Sequence, residues 1–148
     1  MLIFNILIIL SLGLMIGVEF AVSVFIDPIL SRLDTRTRAQ AVQMFATRLG
    51  RAMPFWYGTN LVLLIAEASL HRHQPGLSLL ISAAAIWAAI ILLTILILVP
   101  INNRMMQLDG TAFSATQQRE HRRWTNLHHL RVLTLVLATV CFLIALRV

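Results

Sequence analysis

Four stretches of this chain are nearly uninterrupted hydrocarbon: about residues 2–26, 54–70, 77–99 and 127–147. A bilayer core is crossed by about 20 apolar residues in a helix, and each stretch is near that length, the second being short. Soluble domains of this size do not carry several such runs, and about a quarter of their residues are charged. Here 59% of the 148 residues are hydrophobic and only 12% are charged. The runs predict an all-α integral membrane protein: one four-span domain over 1–148, built as a four-helix bundle.

Charge orients the spans. All twelve basic residues are arginine, giving a formal net charge of +6. They flank the apolar runs and form no single stripe, which argues against a nucleic-acid partner and for membrane lipid. Arg32, Arg36, Arg38, Arg48 and Arg51 lie between spans one and two, and Arg104, Arg119, Arg122 and Arg123 between spans three and four. The turn "HRHQPG" has only Arg72 and the tail only Arg147. The positive-inside rule then predicts a multi-pass protein of the cell membrane with both termini on the non-cytoplasmic side. Span one has no basic leader, so it is not read as a cleaved signal peptide. The lone Cys141 lies mid-span and reads as a small core residue.

Punctuation sets the expected ends. Asp27-Pro28 closes span one, Pro54 opens span two and Pro100 ends span three. In "RAQAVQMFATRLG", Ala39, Val42, Phe45, Ala46 and Leu49 recur at helical spacing with Gly50 as a stop. This predicts an amphipathic helix in the first cytoplasmic loop, lying on the inner leaflet. Ser114 with Gln117 fits a capping box, and helix continued into span four would be long, about 30 residues. Pro28–Arg32 ("PILSR") and Pro100–Arg104 ("PINNR") echo each other, a match short enough to arise by chance.

Polar residues converge at one depth. Glu19, Ser23 and Asp27 follow at intervals of four towards the cytoplasmic end of span one. Span two brings Trp56, Tyr57 and Asn60, span three brings Thr94, Asn102 and Asn103, and the helix entering span four carries His121, Trp124, His128 and Arg131 on one face. Trp56 and Tyr57 also fit an interfacial aromatic belt, and Arg131 also fits a snorkelling cation. Glu19 is harder to place in lipid: an unpaired carboxylate at that depth costs several kcal/mol. A buried Glu19–Arg131 pair, or a network through His128, is therefore expected.

Such a cluster suits proton chemistry. An imidazole held beside a carboxylate and an arginine can act as a base near neutral pH, and Arg131 with the Asn102 and Asn103 amides can stabilise developing anionic oxygen. Trp124, Trp56 and Tyr57 suit a flat, small hydrophobic substrate. No metal site is assigned. His128 is the best candidate ligand if haem or a metal ion is present, then His121, but the two histidines are too far apart along the helix to share one small ion.

At these residues the chain resembles a known family. "GVEF…DP" in span one, "VPINN" at the end of span three, and Trp124, His128 and Arg131 entering span four look like the anthrone oxygenase-like family of small four-span membrane proteins. The resemblance implies an oxidoreductase, a monooxygenase that oxidises anthrone-like aromatics with dioxygen and needs no added cofactor. Carried over by position, it singles out Glu19, Asn102, Asn103, Trp124, His128 and Arg131. The reading is then an oxygenase with His128, Arg131 and Glu19 catalytic and Asn102, Asn103, Trp124, Asn60, Tyr57 and Trp56 binding substrate. The alternative is a non-catalytic haem- or ligand-binding membrane protein, or a small transporter subunit. The small-residue face of "SAAAIWAA" (Ser82–Ala89) predicts a homo-oligomer.

Overall fold

Proline lacks a backbone N–H and crowds the carbonyl four residues back, so helices are expected to stop near it. In the computed structural model, which describes residues 2–108 and 114–148, three helices instead run on through their prolines, two of them by way of a π turn. α1 (Leu2–Ala21) passes into a five-residue π turn, Val22–Ile26, and then into α2 (Asp27–Leu30). α4 (Leu77–Leu93) passes into a second π turn, Thr94–Leu98, and then into α5 (Val99–Met106). Just before Pro28 and Pro100 the ladder lengthens: Asp27 donates its N–H to the Val22 carbonyl, and Val99 to that of Thr94. The extra residue re-registers the backbone ahead of the ring, and the rods end at Leu30 and Met106. Both π turns sit at the same offset from Pro28 and Pro100, so the short sequence echo extends to backbone geometry.

The expected amphipathic helix is corrected more thoroughly. α3 (Thr35–Leu70) is one helix of 36 residues that passes through both Gly50 and Pro54. Asp34 caps its start, accepting the N–H groups of Arg36 and Thr37 at 3.1 Å. Ala39, Val42 and Ala46 of the expected stripe are buried with Leu30, Ile101, Met105 and Leu108, while Phe45 stays exposed. By length and composition, three helices among the described residues are long and apolar enough to cross a membrane, Leu2–Leu30, Leu77–Met106 and Ala115–Ala145, and α3 is not one of them. Its arginines fill the first half, and its apolar second half is short.

α6 (Ala115–Ala145) is a continuous helix of 31 residues opened by a capping box between Ser114 and Gln117. The described residues contain no strand. The main apolar cluster joins Ile8, Leu12 and Met15 of α1, Leu64 of α3, Trp87 of α4, and Phe142 of α6. In lipid such contacts hold helices together by close packing, because the surroundings are equally apolar. The α3–α4 turn is pinned to the far end of α6: a Cβ at Gly76 would run into the Ala145 carbonyl. These packings leave the other, arginine-rich end of the rods to house the polar residues.

Candidate functional site

Helical spacing on α6 turns His121, His128 and Arg131 inward, at 4%, 2% and 7% exposure. Glu19 of α1, at 2% exposure, meets His128 and Arg131 from across the rods. Its Oε2 accepts an Arg131 N–H at 2.6 Å, and its Oε1 accepts the Tyr57 hydroxyl at 3.1 Å. The same Arg131 nitrogen lies 2.8 Å from His128 Nδ1, while His128 Nε2 lies 3.1 Å from the Glu19 backbone oxygen. A carbonyl only accepts, so Nε2 carries the proton. Neutral His128 therefore offers Nδ1 as acceptor to the guanidinium. Protonated, Nδ1 would instead donate to Glu19 Oε2, 3.2 Å away. The guanidinium also stands 5.5 Å over the Tyr57 ring, and Trp124 stacks on His128 at 4.6 Å with the rings 9° apart.

This cluster lines a cavity of about 250 Å³. Glu19, Tyr57, Trp124, His128 and Arg131 face it, together with Asn102, Asn103 and the apolar Met53, Ile91 and Leu98. Four buried polar groups thus meet inside largely hydrocarbon walls, where charge interactions are stronger than in water.

Other expected site residues stand elsewhere. Asn60 and Trp56 do not line the cavity. Ser11 donates to Asn60 Oδ1 at 2.7 Å and accepts the Trp56 indole N–H at 3.1 Å, and the Asn60 amide meets Met15 Sδ at 3.1 Å. That chain ties α1 to α3. Asn102 is at the cavity, but its amide nitrogen donates to the Ala46 carbonyl at 3.2 Å and occupies the space where a Gly50 side chain would be, 2.5 Å from the Cβ position. Its donor is committed to holding α5 on α3. Asn103 is exposed at the rim.

His121 belongs to a separate cavity of about 60 Å³ with Asp27 and Trp124. Its Nε2 is 3.5 Å from Asp27 Oδ1 and its Nδ1 is 3.3 Å from Arg38. Thr125 donates to the other Asp27 oxygen at 2.9 Å. Trp124 lines both cavities and so stands between the two histidines. A haem or metal ion does not fit these donors. His128 would have to surrender the Glu19 carbonyl or Arg131 to ligate one, and no group of three or more His, Cys, Asp or Glu is gathered among the described residues. His129 is mostly outside, its Nε2 3.4 Å from the Ser23 carbonyl.

Among the cavity residues outside the sequence assignment are Gly58 and Thr94. Thr94 sits at the depth of the polar cluster, which was the available signal. Gly58 gives none.

The anthrone oxygenase family description matches residues 42–141. That stretch holds Tyr57, Asn102, Trp124, His128 and Arg131, whereas Glu19 precedes it. No curated protein and no solved structure matches the chain. With most of the length covered by the family description, the chain belongs to the anthrone oxygenase family.

Proposed function

We propose that the protein is a membrane-embedded oxygenase that converts an anthrone-like aromatic to the corresponding anthraquinone with dioxygen. The observation that carries this is the buried Glu19–Arg131–His128–Tyr57 cluster opening onto an apolar-walled cavity. An anthrone has an acidic methylene opposite its ketone. His128 Nδ1 takes one methylene proton, and the imidazolium turns to Glu19 Oε2. Arg131, released from Nδ1, donates to the oxygen of the enolate that forms. The enolate carbon gives one electron to dioxygen, and the resulting radical and superoxide join in a carbon–oxygen bond. Protonation from His128 gives a hydroperoxide. Loss of the second methylene proton then makes the carbonyl as the oxygen–oxygen bond breaks and water leaves. The sum is one methylene and one dioxygen in, one carbonyl and one water out.

A lipophilic substrate of this kind arrives from the bilayer. We place the arginine-rich end in the cytoplasm, with both termini on the other side. Single cysteines at Gln40, Gln74 and Gln117, with Cys141 replaced, test that. Labelling of position 74 from the cytoplasmic side overturns it. Ser82, Ala85 and Ala89 are exposed on α4, a face suited to a second copy, and a monomeric mass in native membrane discs overturns that association. The activity test is oxygen uptake matched to anthraquinone absorbance with 1,8-dihydroxyanthrone, corrected for autoxidation. Wild type is expected to turn over and His128→Ala is not. Equal rates in both overturn the reading.

A further inference from the structure

Serine and threonine in helices commonly satisfy their hydroxyls on the carbonyl four residues back. Thr47, Thr59, Ser69, Ser82, Thr134 and Thr139 all do so, at 2.8–3.0 Å. Thr94 does not. Its Oγ1 is shielded and has no hydrogen-bond partner among the described residues. It opens the π turn Thr94–Leu98 and lines the same cavity as the catalytic cluster, and such turns are frequent at functional sites.

A second orphan belongs to another residue of the cavity wall. Arg131 is only 7% exposed, and although its terminal nitrogen is bonded to Glu19 and His128, its Nε has no partner. Leaving two buried donors unmade carries a free-energy penalty that a ligand bearing acceptors would relieve. The α3 wall is bare at one point: Gly58 lines the cavity, and a Cβ there would meet nothing within 4 Å, whereas the space at Gly50 is filled by Asn102.

We propose that Thr94 Oγ1 and Arg131 Nε are the two anchors of a ligand subsite, which holds two oxygens of one flat, otherwise apolar ring system against the bare face of α3 at Gly58. Arg131 takes the ketone or enolate oxygen, because a guanidinium only donates. Thr94 takes a further oxygen substituent on the ring, and Gly58 sets how large the ring system is. The identity of the ligand as an anthrone rests on the oxygenase reading; the subsite does not.

The test uses the whole protein in lipid nanodiscs and 1,8-dihydroxyanthraquinone, a product-like probe without the methylene. Wild type, Thr94→Val, Thr94→Ser and Gly58→Leu are titrated by absorbance. Thr94→Val is expected to weaken binding about five- to tenfold, the size of one hydrogen bond. It should leave the ligand-free melting temperature unchanged or raised, since an orphan hydroxyl is lost. Thr94→Ser should bind like wild type. Gly58→Leu should fold and lose most binding. The subsite is overturned if wild type does not bind the probe, or if Thr94→Val binds as tightly. It is also overturned if Thr94→Val lowers the melting temperature, which would reveal a structural partner. Expected binding effects without turnover of any anthrone would keep the subsite and sink the oxygenase reading. An active enzyme indifferent to Thr94 and Gly58 would do the reverse.

Discussion

Among the described residues two carboxylates are buried, at opposite ends, and they differ in what stands beside them. Glu19, at the arginine-rich end, is held by a guanidinium, a phenol and an imidazole, and it lines a cavity. Glu67, near the other end of α3, is fully buried, meets His71 one turn on at 3.0 Å, and lines none of the cavities described above. A guanidinium cannot shed its charge, so the Glu19 site must stay ionic. The imidazole of His71 beside Glu67 is not such a fixed charge. Burial of an acid is common to both sites; a guanidinium counter-charge and open space stand beside Glu19.

The largest expected effect breaks this contrast directly. Glu19→Gln leaves Arg131 buried without its anion, and breaking such a pair typically costs about 3–5 kcal/mol. Glu67→Gln keeps a hydrogen-bonding amide beside His71, so a loss of about 1 kcal/mol is expected. Chemical or thermal unfolding in one detergent compares the two, and equal losses would erase the distinction. His128→Ala should cut turnover by about 10²–10⁴-fold, as removal of an acid–base group does. Its stability should fall only within the ordinary range of about 1–3 kcal/mol. His129→Ala, on the exposed neighbouring face, should shift stability by about 0.5 kcal/mol or less and leave turnover unchanged. If His129→Ala is instead the damaging change, the inward face of α6 has been misassigned.

Much of this was legible in the sequence. The three rods apolar enough to span followed from apolar length alone, and α6's inward face from the 3.6-residue period that carries His121, Trp124, His128 and Arg131. The Glu19–Arg131 pair followed from the cost of an unpaired carboxylate at depth. What was missed had tertiary causes. A proline reads as a stop until a π turn makes room for it, and nothing local announces that turn at Val22–Ile26 or Thr94–Leu98. The stripe Ala39–Val42–Ala46 looks the same whether lipid or α5 covers it. Asn60 and Trp56 were given to the site on depth alone. Depth does not say which neighbour a side chain finds, and Ser11 was theirs.

The central claim is that the Glu19–Arg131 ion pair exists for the reaction and not for the fold. The double change Glu19→Gln with Arg131→Met removes both charges and strands neither. Replacing a buried ion pair with groups of similar volume is often neutral or stabilising. Turnover of 1,8-dihydroxyanthrone by the folded double variant tests the claim most directly. The account predicts a melting temperature near wild type, well above that of Glu19→Gln alone, with turnover at the autoxidation background. Wild-type turnover from that folded double variant would contradict it.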